Sequence, residues 1–185
     1  MAQLAPLEVQ FQVEGTTAQV SGLLARPTDA WMLYVVAHGA GAGMRHSFLE
    51  SIAESLAAQG IATFRYQFPY MEVGRRRPDP PHLLEATVRS AVETAAESSP
   101  GVPIIAGGKS LGGRVTSRAA ASGPLAGVKG LAFLGFPLHA PGKPGDSRAE
   151  HLYTVRLPTL FLQGTRDSFA HLDLLRSLCE RLGSN

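Results

Sequence analysis

The pentapeptide Gly108-Lys109-Ser110-Leu111-Gly112 constrains this chain more than any other stretch. Before it, residues 102–106 (Val-Pro-Ile-Ile-Ala) form a short apolar run of β-type residues. After it, residues 114–121 have the composition of a helix. A strand, a turn carrying a serine, and a helix are the setting of a Gly-x-Ser-x-Gly nucleophile elbow. Such a turn is tight, so the residues two before and two after the serine must lack bulk. Gly108 and Gly112 satisfy that, and Gly113 leaves room for the helix to pack on the strand. The serine hydroxyl then stands above the sheet, and the N–H of Leu111 points at the same space. In a chain with 20 glycines, the five residues alone also fit an incidental serine in a glycine-rich turn. The flanking strand and helix favour the elbow.

The remaining periodicities place the elbow in a larger pattern. Residues 9–13 alternate apolar and polar as a half-buried strand, with 18–25 as its hairpin partner. Residues 31–37 read as a strand buried on both faces. A helix follows from Ser47, which caps it with Glu50 reaching back, to a stop at Gly60. Residues 61–66 are the next strand, and 67–81 a long loop rich in Pro, Arg and Gly. A helix spans 83–96. After the elbow come a strand at 128–135, a Pro-rich loop at 136–144, a short helix at 147–152 and a strand at 158–163. The final helix starts near Ser168, with Cys179 on its apolar stripe as a small core residue, and stops at Gly183. Strands alternating with helices predict one three-layer α/β domain, with a mostly parallel sheet and an N-terminal antiparallel hairpin. Ligands in such sheets sit at the carboxyl ends of the strands. Those ends carry His38, Arg65, Ser110, the 136–139 loop and Asp167.

Composition removes other classes. The 185 residues are enough for one core, and 44% hydrophobic content suits a folded protein. No apolar run approaches the roughly 20 residues of a membrane span, and the first six residues lack a signal-peptide pattern. Cys179 is the single cysteine, which excludes an internal disulfide and a cysteine metal cluster. A net charge of +2 gives no reason to expect nucleic acid. A cytoplasmic protein with no cofactor, no metal and no membrane partner is expected. The triplet Arg75, Arg76 and Arg77 reads as a solvated loop or an anion-binding rim.

A serine needs a base to take its proton and an acid to orient that base. Ser110 is the nucleophile. Asp167, just past a strand in Gly164-Thr165-Arg166-Asp167, is the acid, and it also suits the cap of the final helix. Backbone N–H groups of Leu111 and Ala40 are the expected oxyanion hole, Ala40 lying in the Gly39-Ala40-Gly41 turn. His38, Arg65 and His139 are substrate-pocket candidates. The base is the difficulty. His171 is four residues after Asp167, too close to bridge to Ser110. His139 precedes the acid, and His38 shapes the oxyanion turn. His46, His82 and His151 fall at or near helix starts.

The elbow, the turn His38-Gly39-Ala40-Gly41 and Gly164-Thr165-Arg166-Asp167 resemble the α/β-hydrolase superfamily. Phe64-Arg65-Tyr66, the Arg-rich loop and residues 136–144 resemble, more narrowly, a branch of small dienelactone-hydrolase-like proteins. That branch includes bacterial predicted hydrolases and a domain of a eukaryotic chromatin-complex subunit. The resemblance implies a serine hydrolase fold with Ser110 and Asp167 in the triad. It also implies a further strand and a histidine loop beyond Asn185, so the natural protein is expected to be longer, or this chain to lack its base. The expected function is an esterase-like hydrolase of a small ester. The competing expectation is a non-catalytic interaction domain using the Arg triplet and the 136–144 loop. A weaker one is phosphate binding at residues 39–43.

Overall fold

A computed structural model describes residues 5–183. Residues 1–4 and Asn185, on which the readings of the two termini rest, lie outside them. Seven strands form one sheet in the order β1-β2-β4-β3-β5-β6-β7. β1 (Leu7–Gln12) and β2 (Gln19–Ala25) make the antiparallel hairpin, and β2 joins β4 (Ile61–Tyr66) antiparallel. From there the sheet is parallel, through β3 (Met32–Ala37), β5 (Ile104–Lys109), β6 (Val128–Leu134) and β7 (Thr159–Leu162). Register aligns Ala37 with Tyr66 and Gly108, Lys109 with Leu134, and Leu134 with Leu162. The carboxyl ends therefore share one edge.

The helices divide between the two faces by the alternation of the strands. Tyr34 and Val36 of β3 pack with Leu49 of α1 (Ser47–Ala57). Leu33, Val35 and Ala37 point the other way. They join the larger core with α3 (Pro81–Ser98), α4 (Leu111–Ser122), α5 (Leu172–Leu182) and a 3₁₀ helix (Ser147–Thr154). A further short helix, α2 (Pro69–Glu72), lies inside the stretch expected to be all loop; Pro69 at its first position presets the turn. No described helix is long and apolar enough to cross a membrane.

Three local expectations change. α1 is capped by His46, whose Nδ1 accepts the Phe48 N–H at 3.2 Å, and Glu50 instead approaches Arg65 at 4.0 Å. Trp31 lies outside β3 and is exposed, with its indole N–H donating to the Gln59 carbonyl at 2.9 Å. Cys179 is exposed rather than in the core; Leu175 and Leu178 are the buried residues of α5.

Candidate active site

The elbow forms where β5 ends. Ser110 has φ 50° and ψ −111°, the only positive φ among the described non-glycine residues. The chain reverses here into α4 within a single residue. Its N–H donates to the Leu134 carbonyl at 3.2 Å, and its carbonyl accepts the Arg114 N–H at 3.1 Å. The glycines are required by contact. A Cβ on Gly108 would sit 2.5 Å from the Ala37 carbonyl oxygen, and one on Gly112 would sit 2.5 Å from Ala37 and 2.6 Å from His38. Leu111 is the first residue of α4, so its N–H has no partner within the helix. Ser110 is half-buried, and Lys109 swings away to lie 5.3 Å from the Phe48 ring.

Facing the serine is the turn after β3. A Cβ on Gly39 would lie 3.8 Å from Ser110 Cβ. Ala40, the expected oxyanion donor, is the next residue. Side chains from two other segments fix this turn. His38 is fully buried; Nδ1–H donates to the Gly39 carbonyl at 2.8 Å, and Nε2 accepts the Phe68 N–H at 3.1 Å. That pairing defines the neutral tautomer, and burial lowers its pKa to about 4. Gln67 Oε1 accepts the Met44 N–H at 2.8 Å, and Arg65 Nη1 donates to the Met44 carbonyl at 3.2 Å. Burial lowers the Arg65 pKa, against the attraction of Glu50.

The acid side is built two strands further out, after β7. Asp167 Oδ2 accepts from Gln163 Nε2 at 2.7 Å, and Oδ1 accepts the Phe169 N–H at 2.9 Å. It therefore caps a local turn, while His171 takes the cap position of α5. The Gln163 amide is shared, since its Oε1 accepts the Phe136 N–H at 2.8 Å. Oδ2 also lies 3.5 Å from where a Gly135 Cβ would be. Gly135 follows Leu134, whose carbonyl holds the Ser110 N–H. Ser110 and Asp167 thus flank the same end of β6.

The substrate-pocket candidates His38, Arg65 and His139 each hydrogen-bond loop backbone in the structure. His139 is buried, with Nδ1–H donating to the Ala140 carbonyl at 2.9 Å and Nε2 accepting the His171 N–H at 3.2 Å. None of the six histidines is hydrogen-bonded to Ser110 or Asp167 among the described residues. The Arg triplet is also partly committed. Arg75 pairs with Asp79 at 2.6 Å, and Asp79 also accepts the Tyr70 N–H at 2.7 Å. Gln67 and Gln163 escaped the sequence reading. Each follows a strand immediately, which is the signal that could have found them.

Residues 30–183 match the family described as Alpha/beta hydrolase domain. Among solved structures, the chain is similar to an alpha-beta serine hydrolase homologue from Coxiella burnetii, with TM-score 0.75 and 16% identity over 100% of this chain and 86% of that one. It is similar to dienelactone hydrolase from Anabaena variabilis, with TM-score 0.66 and 20% identity over 95% of this chain and 94% of that one. It is also similar to the Pyrococcus furiosus esterase, with TM-score 0.78 and 13% identity over 97% and 77%. At such identities the likeness is one of fold, while the family match covers most of the sequence. The chain belongs to the α/β-hydrolase family.

Proposed function

We propose that this hydrolase uses Ser110 as a nucleophile on a small carboxylic ester or related acyl compound. The observation that carries the proposal is the positive φ of Ser110, in a turn whose flanking glycines leave no room for a side chain. Strain of that kind persists where function needs it. The Ser110 hydroxyl gives its proton to a base as Oγ bonds the carbonyl carbon. The N–H groups of Leu111 and Ala40 stabilise the resulting oxyanion. Its collapse expels the alcohol, which takes the proton, and leaves an acyl-serine. Water then repeats the sequence, releasing the acid and restoring Ser110. Asp167 orients the base and stabilises its cationic form.

The base is the vacant role. No histidine is hydrogen-bonded to Ser110 among the described residues, and that observation also favours a second reading, a binding domain that keeps the hydrolase fold. One experiment separates them. A fluorophosphonate probe is expected to label Ser110, by mass spectrometry, and Ser110→Ala to abolish labelling. Added imidazole is expected to accelerate it, recovering part of the roughly 10²–10⁴-fold that a positioned base contributes. A folded protein that stays unlabelled with and without imidazole is a binding domain.

A further inference from the structure

A basic cluster on α4 and the 3₁₀ helix has no use in the chemistry above. α4 carries Arg114 and Arg118 on the side that meets the 3₁₀ helix, which returns Arg148 and His151 against them. Ser117 locks the seam. Its hydroxyl donates to the Arg114 carbonyl at 2.8 Å and accepts from His151 Nε2–H at 2.7 Å. Burial, then the charges of Arg118 and Arg114, hold the His151 pKa down to about 4, so it adds no charge near neutrality. Burial, then Arg148 and Arg118, lower the pKa of Arg114.

The three arginines differ in what answers their charge. Arg118 Nε meets Glu85 at 3.0 Å. Arg148 Nη1 donates to the His139 carbonyl at 3.1 Å. Arg114 has no side-chain hydrogen bond or ion pair among the described residues, and its Nε is buried without a partner. Crowding like charges while removing water is costly unless a countercharge arrives. Guanidinium groups match an oxyanion with parallel N–H donors.

The position is informative. Arg114 is one helical turn beyond Ser110, and helical side chains lean back toward the N-terminus. Arg148 is tied to the 136–144 loop through the His139 carbonyl. Ser110, Arg114 and Arg148 are all half-buried, so the cluster is neither sealed nor fully solvated. We propose that Arg114 and Arg148 form an oxyanion-binding subsite next to Ser110, and that the substrate carries a carboxylate or phosphate a short linker away from its scissile bond. The substrate class rests on Ser110 being the reacting group; the binding site itself does not.

The test therefore has a binding arm independent of turnover. The chain is titrated calorimetrically with glutarate, and separately with inorganic phosphate, at low ionic strength. At least one is expected to bind at a single site, and the tighter of the two identifies the anion. Arg114→Gln and Arg148→Gln are each expected to weaken it at least about tenfold, and Arg76→Gln to leave it unchanged. Two positions are used so that misfolding of one variant leaves the other to decide. Absence of binding by both anions, or binding indifferent to both substitutions, overturns the proposal. In the second arm, monomethyl glutarate is compared with methyl butyrate. Both variants are expected to reduce the preference for the acidic over the neutral ester, the ratio of their kcat/KM values, about tenfold, and Arg76→Gln to leave that ratio unchanged. Glutarate binding that depends on Arg114, in a protein inert to esters and to fluorophosphonate, keeps the subsite and rejects the nucleophile. Ester hydrolysis without such binding rejects the subsite alone.

Discussion

A proton added to His38 would find nothing to bond. Nδ1–H already donates to Gly39, and Nε2 already receives the Phe68 N–H. The buried ring stays neutral down to about pH 4, whereas an unfolded histidine titrates near 6.5. As pH falls through 6.5, the unfolded chain takes up a proton that the folded chain refuses. Stability is thus intact above 6.5 and is lost progressively toward 4, by on the order of 3 kcal/mol for this residue. His151, also lowered to about 4, titrates in the same window, but it is half-exposed and contributes less. Urea midpoints at pH 7 and pH 4.5 are expected to differ in the wild type. The gap is expected to shrink in His38→Gln, whose amide carries no titratable proton. An equal gap in both would place the acid sensitivity elsewhere.

At the scale of elements, the elbow joins β5 to α4 by letting two backbones touch. Gly112→Ala pushes a methyl group against the Ala37 and His38 carbonyls, which the sheet holds in place. The expected cost is about 1–3 kcal/mol or more, read as a lower urea midpoint. Gly145→Ala has open space and no positive φ, so it is expected to be near neutral. The elements were legible because their signals are local. The apolar run of residues 61–66 and the Gly-x-Ser-x-Gly turn each declare themselves within a few residues. The cap of α1 was misplaced by one residue because His46 does with Nδ1 what Ser47 was expected to do with a hydroxyl. The pairing of Asp167 with Gln163 is equally local, but a glutamine carries no catalytic signature in sequence. The Arg114 and Arg148 cluster was invisible for another reason. Its members lie on different elements, and only the packing of α4 against the 3₁₀ helix brings them together. Sequence shows a histidine at a strand end but not where its ring nitrogens bond, as His38 and His139 do here with loop backbone.

Across the whole molecule, the sheet is dressed unevenly. α1 covers the β3–β4 part of one face, while Ile105, Ala132 and Leu134 are only partly buried there. Beyond them Leu160 and Leu162 of β7 are 55% and 52% exposed. β7 pairs only with β6, so its outer backbone edge is unpaired among the described residues. That edge reads Thr-Leu-Phe-Leu, with none of the charges that usually guard an edge strand. Leu160→Glu with Leu162→Lys is expected to reduce binding of a hydrophobic dye and to weaken self-association. Thermal stability should change little, since both side chains already face water. A large loss of stability would mean that these leucines pack against something in solution.

The opposite edge makes this asymmetry count. β1 alternates Glu8, Gln10 and Gln12 outward along its length, so among the described residues the sheet offers one sticky border and one polar border. A β7 edge meeting a β7 edge is a two-fold contact that uses up both sticky borders at once. Self-association by this route closes at a pair. A concentrated solution of the chain should therefore sediment as monomer and dimer, without the ladder of larger species that two sticky borders would build.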